Sequence, residues 1–130
     1  GITVGDDVKV ILMEAKEDHP FVQVELMMPI LPLVRVPDVD QAIEMAVRVE
    51  HGNRHTAMMH SRNVEKLTKM AKLIQTTIFV KNGPSYAGIG VGGEGYTTFT
   101  IAGPTGEGLT SAKSFARRRR CVLVGGMDVR

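Results

Sequence analysis

The sequence contains few of the residues on which disulfide-bonded, zinc-binding and nucleic-acid-binding proteins rely. One cysteine, Cys121, among 130 residues excludes an internal disulfide framework and a zinc site built on cysteines. Tryptophan is absent and aromatic residues make up only 5%, so few rings are available to stack on single-stranded nucleic acid. Sixteen basic and 14 acidic side chains give a net charge of +2, which does not require a polyanionic partner.

Long hydrophobic runs are also missing. The longest uncharged apolar run near the start covers residues 26–34 and contains Pro29 and Pro32, so it cannot cross a bilayer as a helix. The chain opens with Gly1-Ile2-Thr3-Val4, without a methionine, a basic region or a small-residue cleavage site. We therefore expect a single domain's worth of a longer chain, with no transmembrane span and no signal peptide.

The spacing of apolar residues predicts strands that alternate with helices. Asp38 and Gln41 form a capping-box pattern in front of one amphipathic helix, and Gly52 follows its expected end. Ser61 or Asn63 is expected to cap a second helix. Strands, the first two of them buried, are expected at residues 8–13, 31–36, 56–60 and 77–80.

This order predicts the α/β class, with a parallel βαβαβ sheet over residues 31–81. Such a sheet needs cover on both faces, and the chain supplies two full helices and a short one at residues 110–115, so we expect that more protein is missing. A last strand is expected at residues 121–124, where Cys121 is a small buried residue rather than a reactive thiol.

Glycine is concentrated in one region. Nine of the 14 glycines lie between Gly83 and Gly108, which predicts a long ordered loop region whose backbone approaches something closely. Residues 88–93 match the G-x-G-x-x-G pattern of dinucleotide-binding sites. The β-branched and aromatic residues that follow are not an amphipathic helix, so an ordered loop is favoured.

Three other candidate sites have competing interpretations. His51 and His55 are four residues apart, but Gly52 interrupts a shared helix face, so ordinary polar roles are favoured over a metal site and no metal is predicted. The arginine run at residues 117–120 favours a solvated or subunit-contact role over phosphate binding. Glu25, inside a largely apolar run, is expected at an edge or cleft, serving either a ligand hydroxyl or a structural arginine such as Arg35.

Four blocks occur in order along the chain. They are Glu25-Leu26-Met27-Met28-Pro29-Ile30-Leu31-Pro32, Glu50-His51-Gly52-Asn53-Arg54-His55-Thr56-Ala57, Ile78-Phe79-Val80-Lys81-Asn82-Gly83-Pro84-Ser85-Tyr86-Ala87-Gly88 and Gly92-Gly93-Glu94-Gly95. Together they resemble CoA-acylating aldehyde dehydrogenases, and most closely the propionaldehyde and acetaldehyde dehydrogenases of propanediol and ethanolamine utilisation. The resemblance extends over nearly the whole chain and is to the C-terminal part of those enzymes.

The resemblance implies oxidation of a short aldehyde by NAD, through a cysteine thioester, with transfer of the acyl group to coenzyme A. It places Glu25 on the nicotinamide ribose, and Met27 where many hydrolytic relatives carry an aromatic contact to the nicotinamide. It also makes Ser85, Tyr86 and Ala87 residues that line the aldehyde pocket. The family nucleophile has no counterpart here, so no catalytic residue is assigned and an isolated chain is expected to be inactive.

The resemblance further divides the chain into residues 1–116, part of the catalytic domain, and residues 117–130, an oligomerisation strand and tail. It implies a homo-oligomer, dimeric or tetrameric in the parent enzyme, in the bacterial cytoplasm, with the interior of a microcompartment as an open alternative. No nucleic-acid or membrane partner is expected. The competing function is a non-catalytic oligomerisation or phosphate-binding module that uses the arginine run and the terminal strand.

Overall fold

A computed structural model describes residue 3 and residues 5–99, 101–103, 108–122 and 124–125 of the chain. Short strands alternate with helices over most of this length, and no described helix is long and apolar enough to span a membrane. The elements are β1 (Ile11–Glu14), α1 (Pro20–Gln23), β2 (Ile30–Leu33), α2 (Val39–Val49), β3 (Thr56–Met59), α3 (Val64–Ile74), β4 (Ile78–Lys81), a 3₁₀ helix (Ser85–Ile89), β5 (Ile101–Ala102), β6 (Gly108–Leu109) and a second 3₁₀ helix (Ala112–Phe115).

The strands form three pairs. β1 and β2 are parallel, as are β3 and β4, while β5 and β6 are antiparallel. Parallel strands with intervening helices confirm the α/β class. Among the described residues the parallel strands of the βαβαβ segment form separate pairs, and β2 does not pair with β3. Pro32, inside β2, has no N–H to donate to a ladder, which suits a strand at an edge.

The first two strands are not buried as expected. Leu12 of β1 and Leu31 of β2 are 64% and 56% exposed, and Val8 and Val10, expected in the first strand, lie before β1 and are also exposed. The apolar side chains that indicated burial are present, but only one face of these strands is half-buried, at Met13, Ile30 and Pro32. The burial prediction for these strands is therefore wrong for this chain.

The core lies between α2, α3 and the β3–β4 pair. Ile43, Met70 and Ile74 are buried there, and half-buried Ala57 and Phe79 of the strands pack against them. The N-terminal caps form as predicted: Asp38 accepts a hydrogen bond from the backbone N–H of Gln41 at 2.9 Å, and Asn63, rather than Ser61, accepts from Lys66 at 3.0 Å. Ser61 instead accepts from the N–H of Asn63 at 3.0 Å. The periodicity and caps thus predicted both helices correctly.

Ion pairs join α2 to α3, and join α2 to the segment that precedes α1. Asp40 of α2 accepts from the ammonium groups of Lys66 and Lys69 on α3, at 2.6 and 2.8 Å. Arg48 of α2 donates two hydrogen bonds, at 2.9 and 3.1 Å, to the carboxylate of Glu17. This second pair holds the segment before α1 against the end of α2.

The C-terminal region differs from the sequence prediction. The helix expected at residues 110–115 is a 3₁₀ helix, Ala112–Phe115. Cys121 is exposed, and Cys121 and Val122 belong to no strand, so the prediction of a buried cysteine is wrong. The predicted strand would pair with the sheet edge of a neighbouring subunit, so a single chain offers no strand for it to pair with. Part of that expected strand, residue 123, and residues 126–130 lie outside the described residues.

Candidate functional site

Two neighbouring cavities share one wall. The larger, a cleft of about 500 Å³, lies between the segment after α1 and the end of α2. The smaller, of about 210 Å³, lies beside the first 3₁₀ helix. The residues common to both linings are His55, Thr56 and Ile101. Ligands in the two cavities would therefore border the same three residues.

Glu25 lines the larger cleft. The sequence left open whether its carboxylate serves a ligand hydroxyl or a structural arginine such as Arg35. Arg35 instead pairs with Glu14, with Nε and Oε1 2.9 Å apart, and Glu25 has no ion pair or hydrogen bond within the described chain. Its exposed side chain in a cleft is thus free to accept hydrogen bonds from a ligand.

The opposite wall of the larger cleft is the turn that ends α2. His51, Gly52 and Arg54 all have positive φ values, of 56°, 78° and 55°. Gly52 takes this conformation at little cost, whereas the two residues with side chains are strained there. Hydrogen bonds to Glu50 close the turn: its carbonyl accepts from the side chain of Asn53 at 2.8 Å, and its carboxylate accepts the backbone N–H of Arg54.

His55 follows this turn directly and is the residue that sequence reasoning missed. Among the described residues it is the only ionisable side chain that lines both cavities. Its Nδ1 lies 2.7 Å from the hydroxyl of Thr56, and within the same part of the chain Nε2 has no protein partner. The sequence predicts an ordinary polar role for it, because the four-residue spacing of His51 and His55 bears only on metal binding. No group of three or more His, Cys, Asp or Glu in the described residues is placed to hold a metal ion.

Ser85 and Tyr86, for which the resemblance implies a place at an aldehyde pocket, lie on the first 3₁₀ helix and line the smaller cavity. Ala87 is on the same helix but does not line this cavity. Met27 lines neither of the two cavities and is 92% exposed. The further lining residues of the smaller cavity, which the sequence did not indicate, are Ile78, Ile89, Thr98 and Phe99.

The glycine-rich region packs against itself. A Cβ on Gly95 would lie 2.2 Å from the carbonyl oxygen of Gly88, and one on Gly88 would lie 2.3 Å from the side chain of Ile78. Residues 90–99 form turns and bends, with no helix after the glycine pattern. The prediction of an ordered loop with close backbone approach is confirmed, and the dinucleotide fingerprint is not supported.

Residues 9–108 match the model of the aldehyde dehydrogenase family. The chain therefore belongs to the aldehyde dehydrogenase family, and its parallel strand pairs and helices are a segment of that fold.

Three similar proteins narrow this class. A propanal dehydrogenase (CoA-propanoylating) from Citrobacter freundii is 63% identical over 115 residues, which are 88% of this chain and 25% of that protein. An engineered glycolyl-CoA reductase solved with bound NADP+ is 77% identical, with a TM-score of 0.86, covering 95% of this chain and 28% of that one. A propionaldehyde dehydrogenase from the Clostridium phytofermentans fucose utilisation bacterial microcompartment is 55% identical, with a TM-score of 0.87, covering 100% and 30%. The chain thus spans about a quarter of the length of the curated relative.

Proposed function

We propose that this chain supplies one side of the nicotinamide site and of the aldehyde pocket in an NAD-dependent CoA-acylating aldehyde dehydrogenase. The observation that carries the proposal is the adjacency of the Glu25 cleft and the Ser85–Tyr86 cavity across the wall formed by His55. A redox reaction between an aldehyde and a nicotinamide requires two neighbouring subsites of this kind. The family assignment favours this enzyme over the non-catalytic oligomerisation or phosphate-binding module.

The larger cleft fits a nicotinamide nucleoside. Its volume of about 500 Å³ and the unpartnered Glu25 carboxylate suit a ribose, because one carboxylate accepts hydrogen bonds from two neighbouring hydroxyls. A nicotinamide accepts a hydride from the aldehyde-derived carbon when it is bound. Glu25 would orient that ring by fixing its ribose. The similar glycolyl-CoA reductase, solved with NADP+, supports a nicotinamide cofactor for this family segment.

The smaller cavity fits a short aldehyde. Its volume is about 210 Å³, and Tyr86, Ile78, Ile89 and Phe99 give it a mainly apolar lining. A short alkyl chain is held in such a pocket by burial of its carbons, with Ser85 as a polar group beside it. The propanal and propionaldehyde dehydrogenases among the similar proteins support a substrate of this size.

His55 is placed to exchange protons with a group that enters either cavity. Imidazole is the most frequent general acid–base group in enzymes, and Nε2 of His55 is the ring nitrogen left open toward a ligand. Transfer of an acyl group to a thiol requires that the thiol lose its proton, because the thiolate is the nucleophile. We therefore assign His55 the role of base for the coenzyme A thiol.

The reactive cysteine of the proposed enzyme is not Cys121. Cys121 is exposed and lines neither cavity, so its sulfur does not face an aldehyde bound beside Tyr86. We expect the 130-residue polypeptide alone, assayed with propanal, NAD and coenzyme A, to form no NADH. A full-length enzyme that contains this segment is the positive control. Robust NADH formation by the isolated chain would contradict the proposal that its nucleophile is elsewhere.

Glu25 is tested in the full-length enzyme by Glu25→Gln, which preserves size and removes charge. We expect slower hydride transfer, seen as a larger isotope effect with deuterated aldehyde, and a higher KM for the nicotinamide. Glu44→Gln is the matched control, because Glu44 is exposed on α2 and lines neither cavity. An unchanged hydride-transfer rate in Glu25→Gln would remove Glu25 from the site.

Residues 117–130 are proposed to act separately from residues 1–116, as a strand that completes a neighbouring subunit's sheet in a dimer or tetramer. The exposed, unpaired backbone at Cys121 and Val122 supports this role, because an unpaired strand readily adds to an edge. A full-length enzyme truncated before residue 117 should lose its higher assembly in light scattering. The similarity to a microcompartment enzyme supports a bacterial cytoplasmic location, inside a microcompartment where the parent carries a targeting segment.

A further inference from the structure

We propose that Glu50 is a positioning residue, which sets the place of His55 by holding Arg54 in a left-handed backbone conformation. This inference rests on the proposed function, because it concerns the residue assigned to proton transfer. The positioning role of Glu50 requires no contact between Glu50 and the substrate. The role depends on the turn between α2 and β3, where three of the four residues from 51 to 54 have positive φ.

The left-handed conformation of Arg54 needs a specific restraint. A residue with a Cβ is disfavoured there, and Arg54 has a φ of 55° without the freedom of glycine. The carboxylate of Glu50 accepts the backbone N–H of Arg54, and a charged acceptor makes that bond stronger than a neutral one. The carbonyl of Glu50 also accepts from the N–H and side chain of Asn53, at 3.2 and 2.8 Å.

The restraint passes to His55 through the backbone alone. The carbonyls of Arg54 and His55 accept hydrogen bonds from Thr77 and Ile78, at 2.9 and 3.1 Å, which fixes the register at which β3 begins beside β4. A change of φ at Arg54 would rotate the next peptide and move the imidazole away from the shared wall. Glu50 thus determines whether His55 lies between the two cavities.

The test uses a full-length enzyme that contains this segment and compares three variants. Glu50→Ala removes the acceptor and should lower kcat/KM for coenzyme A by up to about 100-fold, the effect expected of a group displaced by about 1 Å. Glu50→Gln keeps an oxygen for the Arg54 N–H and should retain most of the rate. Arg54→Gly with Glu50→Ala should restore most of the lost rate, because glycine adopts positive φ without a restraint.

Two readouts separate positioning from general damage. The acid limb of the pH profile for the coenzyme A step should shift in Glu50→Ala and return in the double variant. Glu50 also lines the larger cleft, so any change in the KM for the nicotinamide should persist in the double variant. Glu44→Ala, on the exposed side of α2, should alter neither quantity. Thermal unfolding verifies that each variant is folded.

The outcomes distinguish this inference from the function on which it rests. An inactive wild-type full-length enzyme contradicts the proposed function. An active wild type in which Glu50→Ala is unimpaired, or in which Arg54→Gly restores nothing, contradicts the role of Glu50 alone. Equal losses in Glu50→Gln and Glu50→Ala would show that the charge itself acts on a ligand and would also overturn the positioning role.

Discussion

Asn82 binds the backbone of Ser61 with both ends of its side-chain amide. Its Oδ1 accepts the N–H of Ser61 at 2.7 Å, and its Nδ2 donates to the carbonyl of Ser61 at 2.9 Å. Its own N–H donates to Met59 at 3.0 Å, so Asn82 continues the β3–β4 pairing beyond the last strand residues. Asn82 has a φ of 56°, and this bend leads the chain into the 3₁₀ helix that lines the smaller cavity.

Replacement of Asn82 should therefore destabilise the fold. Asn82→Ala loses two hydrogen bonds and the tolerance of asparagine for positive φ, which together cost about 2 kcal/mol of unfolding free energy. Asn82→Gly loses the same hydrogen bonds but keeps the conformational freedom, so it should cost about 1 kcal/mol less. Urea unfolding of the full-length enzyme measures both. Equal losses in the two variants would show that backbone conformation contributes nothing here.

The cluster formed by Asp40 of α2 with Lys66 and Lys69 of α3 predicts how the stability of the fold falls in acid. Hydrogen bonds from Lys66 and then Lys69 lower the pKa of the Asp40 carboxyl from 3.8 to about 2. A lowered pKa in the folded state stabilises the fold at every pH above the unfolded value, and the contribution is lost as the pH falls from about 4 to about 2. We expect Asp40→Asn to flatten the fall of the urea midpoint in that interval.

Glu44→Gln on the same helix is the control for Asp40→Asn, because Glu44 has no hydrogen bond to either lysine in the described chain. Its profile should follow the wild type. Added salt should weaken the Asp40 contribution, since exposed ion pairs are screened. An identical acid profile in Asp40→Asn and wild type would show that the cluster does not stabilise the fold.

Two glycines of the loop should respond to alanine for different reasons. Gly92 has a φ of 72° with no atom within 4 Å of a new Cβ, so Gly92→Ala should cost about 1–2 kcal/mol through backbone strain alone. Gly95→Ala places its Cβ 2.2 Å from the carbonyl oxygen of Gly88 and must displace the loop. We expect Gly95→Ala to raise the KM for aldehyde, and Gly92→Ala to change only the melting temperature.

Ile89 should limit the chain length of the aldehyde, because it lines the smaller cavity and not the larger one. Ile89→Ala creates space for additional methylenes, and one methylene in an apolar pocket is worth about 1–3 kcal/mol. The ratio of kcat/KM for pentanal to that for propanal should rise by about tenfold or more, with an unchanged KM for the nicotinamide. Val91→Ala, exposed and outside both cavities, serves as the control. A constant ratio would exclude Ile89 from substrate selection.

Local signals in the sequence predicted the local structure well. The caps at Asp38 and Asn63 and the apolar periodicity of the helix that follows each of them depend on contacts within a few residues, so they can be inferred without a tertiary structure. Burial of Leu12 and Leu31 depends on residues from elsewhere, and here the prediction failed. Apolar composition indicates a surface that needs cover, but it does not identify what provides that cover.

The site was predictable only in part, because its shape depends on backbone bends that residue types do not specify. The resemblance indicated Glu25, Ser85 and Tyr86, and all three line the paired cavities. It did not indicate the place of His55. That place results from positive φ values at residues with side chains, and the sequence marks only Gly52 as suited to them.

The wall shared by the two cavities limits how such an enzyme can diversify. If the two cavities bind the proposed nucleotide and aldehyde, a substitution at Thr56 or Ile101 would alter the fit of both ligands together, so a gain for one would tend to be a loss for the other. Tyr86 and Ile89 border the smaller cavity alone. New aldehyde preferences should therefore evolve, or be engineered, first at these two positions, where selection on one ligand leaves the other undisturbed.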